Sequence, residues 1–397
     1  MNSNLSAFLN ISRWVSAFLV VIGHVRHLVL VDLKNVEDST IFIKFLYFWS
    51  GLGHESVVIF FVISGYLVGG HTLEKWRANG PDLRRYAIAR FSRIYTVLIP
   101  ALVVGLAIDA IGLRWFNLSE LYTNSMQYQT DSLSLSISSS MDTSTFFGNL
   151  LSLQGILTGS LGSNGPLWSL SYEWWYYCIF ALVGAAITSS WNFRFVYLLG
   201  AFGLALWLPE KLVIWGSIWL LGLAAHAWIG SGLRCPNPFL GIAIFTLALI
   251  ISRTSHSVDS VASPESIVRD FGLGLAYVVA LAGASRMSKN IPFQNLSRWL
   301  ASFSYTTYIF HFPALIFSVA FGYQVFGFRF RLQPDGLGLL YLLIVTMLVY
   351  CYCYLWFFVA ERHTNTVRSY LLAKMPWRLD SEIDMSLKRS QQEVKGV

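Results

Sequence analysis

Apolar residues run along the chain in ten blocks, at 12–31, 54–71, 93–113, 167–189, 195–208, 212–229, 239–252, 270–286, 303–326 and 338–360. The blocks are continuous and do not alternate with period two, so they predict helices rather than half-buried strands. About 20 such residues cross the hydrocarbon core of a bilayer. A lipid-embedded backbone must satisfy its own polar groups, which leaves helices or closed barrels. Barrel strands alternate apolar and polar positions, and these blocks do not. Blocks 195–208 and 239–252 are short and need flanking residues to cross. The pattern predicts an all-α integral membrane protein, a bundle of about ten transmembrane helices filling residues 1–360.

The polar stretches between the blocks are uneven. Residues 72–92 form a basic loop, residues 114–166 a long external segment, and residues 361–397 a charged cytoplasmic tail. The external segment holds a Ser-rich run at 132–140 and a short apolar run at 146–157. That run is too short to span and predicts an interfacial or re-entrant helix. Unstructured connections of this length are uncommon and often functional. No internal repeat is evident.

Composition strengthens the membrane reading. Hydrophobic residues make up 55% of the 397, aromatic residues 16% and charged residues only 12%. Soluble domains carry about 25% charged residues, so half the usual surface charge is missing. Lys and Arg are enriched roughly twofold on alternate connections, counting the N-terminus, the 72–92 loop and the tail on one side, which predicts both termini in the cytoplasm. The net charge of +7 is then a topology signal and not a nucleic-acid footprint, which needs a basic face on a soluble domain. Cys178, Cys351 and Cys353 fall within apolar blocks and Cys235 in a short loop, so no extracellular disulfide framework is implied. The first block is longer than the core of a signal peptide and lacks a small-residue cleavage site, so it reads as a retained span.

Ionisable groups inside spans are costly, about 2.5–3.5 kcal/mol each at a helix centre, and are functional candidates by default. The first span, ISRWVSAFLVVIGHVRHLVL, carries Arg13 and His24 eleven residues apart. That is about three turns, so the two share a face about 16 Å apart along the axis. An imidazole there is either a general base or a structural group bonded by a neighbouring helix. His24 and His27 have metal-like spacing, but no third ligand accompanies them, and no metal is expected. Arg90 and Arg93 are three residues apart and share a face; they suit phosphate groups or simple membrane anchoring. Glu173 stands among Trp168, Tyr172, Trp174, Trp175 and Tyr177. A buried carboxylate must pair, line a polar cavity or hold its proton. His311 precedes Pro313, and a carbonyl freed by the proline is its natural partner.

Together these residues resemble the acyltransferase 3 family of membrane proteins over nearly the whole chain. The family's basic-x10-His motif is matched by Arg13 and His24, and its R-x-x-R motif by Arg90 and Arg93. Its S-x4-W-S-L-x2-E-x3-Y motif is matched by Ser163, Trp168, Ser169, Leu170, Glu173 and Tyr177. FFVISGYL at 60–67 and SYTTYIFHFP at 304–313 resemble its second- and ninth-span signatures. Two runs depart from it: Arg13-Trp14-Val15 stands where Arg-Gly-Leu is frequent, and Glu361-Arg362-His363-Thr364 where Glu-Lys-Pro-Phe is frequent. The resemblance implies transfer of an acyl group, usually acetyl, from cytoplasmic acetyl-CoA to a hydroxyl of an envelope or exported carbohydrate, free or lipid-linked, at the bacterial inner membrane. It implies His24 and Glu173 as catalytic residues, with Glu173 orienting His24 or the acceptor. It further implies Arg13, Arg90 and Arg93 as the coenzyme A site, and Ser163, Trp168 and Tyr177 as acceptor contacts. The short tail resembles the stand-alone type without an esterase-like domain. The rival expectation is a transporter without covalent chemistry, a class that often shows internal repeats.

Overall fold

The structure is a computed structural model that describes residues 3–123, 136–189, 191–255 and 264–375. Each apolar block falls on a helix. The elements are α1 (Ser3–Val29), α2 (Ile41–Trp49), α3 (Gly53–Ser64), α4 (His71–Asn79), α5 (Leu83–Trp115), α6 (Thr143–Leu150), α7 (Trp168–Thr188), α8 (Trp191–Trp207) and α9 (Glu210–Gly230). They continue with α10 (Pro238–Thr254), α11 (Pro264–Ala284), α12 (Gln294–Ser302), α13 (Ser304–Phe326), α14 (Gly336–Val359) and α15 (Thr364–Lys374). Among the described residues there is no sheet, only isolated bridges such as Leu30 with Leu332.

Among the described residues, seven helical runs are long and apolar enough to cross a membrane, on α1, α2–α4, α5, α9, α11, α13 and α14–α15. The three other blocks fall short of that standard for physical reasons. Helices α8 and α10 are brief, with apolar stretches at Phe193–Trp207 and Pro238–Thr254. Helix α7 is long enough, but its first three turns carry Ser169, Ser171, Tyr172, Glu173, Tyr176 and Tyr177, which turn polar groups into the bundle.

Helices α1, α3 and α13 form the centre, with α5, α7, α9, α11 and α14 around them. Large apolar side chains cover the outer faces, for example Phe195, Leu199 and Phe202 on α8 and Leu343, Met347 and Leu355 on α14. Polar groups such as Asp109, Ser171, Thr306 and His311 are buried inside. An apolar exterior around bonded polar groups is what lipid demands. Helix α9 reaches α3 closely because Gly65 and Gly222 face each other: a Cβ on Gly65 would lie 1.9 Å from the Trp219 carbonyl oxygen, and one on Gly222 would lie 2.0 Å from that of Val62. Small residues are the usual means of close helix approach in membranes.

Two predicted boundaries move. The helix expected over 146–157 is α6, Thr143–Leu150; it starts earlier because the Asp142 carboxylate accepts from the Thr145 amide as N-cap, and bonds from Ser144 and Thr145 hold that carboxyl below its ordinary range. Residues 151–157 are turns, with Ser152 at φ 57°. Part of the Ser-rich run 132–140 lies outside the described residues. The tail does not separate at 361. Glu361 is buried, and α15 packs along α5, where the Arg84 guanidinium donates to the Leu372 carbonyl at 2.8 Å. The cysteines Cys178, Cys235, Cys351 and Cys353 are all free thiols.

Candidate active site

Two cavities of similar size, about 530 and 540 Å³, lie back to back in the bundle. The first is lined by Arg13, Arg90, Arg93 and Arg368 together with Glu173 and Glu361. The second is lined by His24, His27 and His54 with Arg26, Lys211 and Arg253, and by Trp168 and Tyr172. Val57 and Tyr308 line both, so these two side chains belong to the wall between them. Tyr308 is fixed there. Its hydroxyl pairs with that of Ser169 at 2.6 Å, and its ring meets Phe60 edge to face at 5.7 Å.

The face shared by Arg13 and His24 therefore bridges the two cavities, one residue in each. His24 is oriented by His311. The His311 Nδ1 lies 2.8 Å from the Tyr308 carbonyl and 3.1 Å from that of Thr307. Carbonyls only accept, so Nδ1 carries the proton and the neutral ring presents Nε2 as acceptor. That Nε2 is 2.9 Å from His24 Nδ1, which must then donate. The chain of bonds leaves His24 Nε2 as the unprotonated nitrogen, the state a base or nucleophile needs. The carbonyl that Pro313 frees is that of Ile309, four residues back, and it is taken by the Asn164 side-chain amide at 2.9 Å. His311 thus does not serve the proline-freed carbonyl, as the sequence suggested. It sets the tautomer of His24.

In the first cavity the arginines differ in their partners. Arg93 donates to Glu361 at 2.7 Å and lies over the Tyr305 ring at 4.4 Å. Glu361 also accepts from the Thr306 amide and hydroxyl, at 2.9 and 2.8 Å, which makes Arg93 a rigid group. Arg90 lies over the Tyr177 and Tyr86 rings, at 5.6 and 5.9 Å, and its buried Nε has no hydrogen-bond partner among the described residues. A buried donor left without an acceptor is costly, and in Arg90 that donor is the Nε alone.

Glu173 lines the first cavity, bonded by the Tyr177 hydroxyl at 2.5 Å, while the group on His24 Nδ1 is His311. This corrects the expectation that Glu173 orients His24. Tyr177 also lies in the first cavity, where its hydroxyl meets that of Ser64 at 3.1 Å, and not beside Trp168. Ser163 lines neither cavity. It is fully buried, and its amide and hydroxyl both donate to Asp109 on α5, at 2.7 and 2.8 Å. These bonds tie the segment before α7 to α5, away from both linings. Trp168 does line the second cavity, edge to face with Tyr172 at 5.2 Å and Trp215 at 5.7 Å.

Sequence reasoning missed Arg368, Glu361, Tyr308 and the three cations of the second cavity. Those cations carried a readable signal. Arg26, Lys211 and Arg253 fall on the side that the positive-inside rule leaves poor in charge, so each is an exception that needs a reason. The Lys211 ammonium lies 5.6 Å over Trp215, Arg26 lies 4.9 Å over Tyr47, and the Arg253 guanidinium fills the space beside Gly51, where a Cβ would lie 2.3 Å from it.

The fold and site define a multi-pass membrane protein with two adjoining cation-lined chambers, one of which holds His24. The family model described as an acyltransferase domain, acyltransferase 3, matches residues 6–356. The chain belongs to that family and is a membrane acyltransferase, which sets the transporter reading aside. Neither the curated proteins nor the solved structures gave a match.

Proposed function

We propose that this acyltransferase moves an acetyl group from cytoplasmic acetyl-CoA to a hydroxyl of an envelope or exported carbohydrate, free or lipid-linked, at the bacterial inner membrane. In this reading ten helices span the bilayer, both termini are cytoplasmic, and the first cavity opens to the cytoplasm. The observation that carries the proposal is the shared wall: a cavity rich in arginine and a cavity holding His24 meet at Val57 and Tyr308.

The donor's phosphates bind at Arg90 and Arg368, with Arg93 held in place by Glu361, and the thioester reaches toward Arg13. The sugar stacks on Trp168 and Tyr172. His24 Nε2 removes the proton from the attacking hydroxyl, whose oxygen adds to the thioester carbonyl. The carbon–sulfur bond breaks and coenzyme A leaves as the thiol, taking up that proton. In the two-step variant His24 Nε2 itself attacks the thioester carbonyl, the carbon–sulfur bond breaks and coenzyme A departs as the thiolate; the acceptor hydroxyl then takes the acetyl group from the nitrogen, and its proton converts the thiolate to the thiol. Glu173, with Tyr177, holds the charge balance near the thioester. Arg26, Lys211 and Arg253 face the same cavity as His24 with no carboxylate in its lining. Such a field favours an acidic acceptor, one bearing carboxylate or phosphate.

The test is acetyl-CoA turnover by the purified protein, followed as thiol release, together with mass spectrometry of envelope glycans from a strain lacking it. Acceptor-dependent thiol release and loss of acetyl groups from an acidic glycan are expected. Glycans with unchanged acetylation and no thiol release from any acyl-CoA would overturn the assignment.

A further inference from the structure

A second constellation lies outside both cavities. A π turn, Gly65–Gly70, joins α3 to α4, and His71 is the first residue beyond it. Such turns are rare and recur at functional sites. Across from it on α9, His226 occupies the space that Gly70 leaves: a Cβ at Gly70 would lie 2.2 Å from the His226 Cγ. This approach brings His71 Nδ1 to 2.7 Å from His226 Nε2. Glu74, one turn after His71, places a carboxylate oxygen 3.6 Å from the same Nε2. The three ligand atoms lie within 4.8 Å of one another. The Tyr66 ring packs against both imidazoles, with centroids 6.1 and 5.2 Å away, and restrains their planes.

We propose that His71, Glu74 and His226 bind a divalent cation of the zinc class, with water as a fourth ligand. Two imidazoles and one carboxylate suit zinc, cobalt or nickel, whereas magnesium and calcium take oxygen ligands. Tetrahedral bonds of about 2.0–2.1 Å set ligand atoms about 3.3 Å apart. The carboxylate–imidazole spacing of 3.6 Å is already near that. The two imidazoles must open by about 0.6 Å, a side-chain rotation, as the cation replaces the proton that joins them. Leu67 and Val68 of the π turn line the first cavity, so the ion clamps that cavity's wall to α9.

The experiment uses the full chain without a histidine tag, in detergent, stripped with a chelator and titrated with cobalt(II). One equivalent with the absorption bands of tetrahedral cobalt is expected, displaced by zinc, with a raised melting temperature. His226→Ala and Glu74→Gln should each weaken cobalt binding at least tenfold. Glu74 is exposed, so its variant reports binding even if His226→Ala fails to fold. Absence of saturable binding at micromolar cobalt or zinc in the wild type, or unchanged affinity in Glu74→Gln, would overturn the site and leave a hydrogen bond between two helices. Neither readout depends on acetyl transfer.

Discussion

The two cavities have nearly the same volume and both are cationic, yet they are built differently. In the first, four arginines share the lining with Glu173 and Glu361; in the second, three permanent cations and three imidazoles form the lining, and the buried Asp270 stands behind it, 2.9 Å from the His54 Nε2. Pairing fixes geometry. Arg93 is locked by Glu361, which is itself locked by Thr306, so the first cavity presents a preorganised pattern with modest net charge. The second keeps its carboxylate, Asp270, behind His54 and off the lining, and presents the unprotonated nitrogen of His24. One lining is built of paired side chains, and the other presents cations and imidazoles.

The sharpest break of this comparison is chemical. His24→Ala should lower acetyl transfer about 10²–10⁴-fold, the usual worth of general-base help, while coenzyme A binding in the first cavity stays as in the wild type. His311→Ala should lower the turnover rate less, through loss of the His24 tautomer, with KM for acetyl-CoA unchanged. Wild-type transfer by His24→Ala in a purified assay would remove the second cavity from the chemistry.

A crossed pair comes next. A charge-assisted hydrogen bond is worth about 1.5–3 kcal/mol, or roughly 10–100-fold in affinity. Arg90→Ala should weaken coenzyme A binding by that factor and leave acceptor KM alone; Arg253→Gln should do the reverse. Calorimetry with coenzyme A and steady-state kinetics separate the two. If both variants shift the same constant, the cavities are not distinct sites.

The smallest effect concerns the wall. Tyr308→Phe loses the pairing with Ser169, about 1 kcal/mol, and should change transfer only a few-fold. Tyr308→Ala should join the cavities and admit water, raising acetyl-CoA hydrolysis in the absence of acceptor. Thiol release without acceptor is the measurement, and an unchanged background rate would mean that Val57 and the helix backbones alone keep the chambers apart.

The apolar blocks determined that the chain is helical and membrane-embedded, because lipid imposes continuous apolarity that no soluble fold needs. Eleven residues at a helical repeat determined that Arg13 and His24 share a face, since that spacing is local. The same holds for Arg90 and Arg93 on α5. The resemblance to acyltransferase 3 was legible for the same reason: its motifs lie within single helices or just before them. Partners across helices were decided only by the tertiary structure. Glu173 and Trp168 belong to one motif, yet they line different cavities, because α7 crosses the level of the wall between them. His311 reaches His24 from 287 positions away, and Glu361 reaches Arg93 from 268. A periodic pattern reports which face of a helix is wet or dry, but not which other helix meets it. The pairing of Ser163 with Asp109 arises only when the bundle closes and buried polar groups must find each other, and the fit of His226 against Gly70 only when their two helices pack.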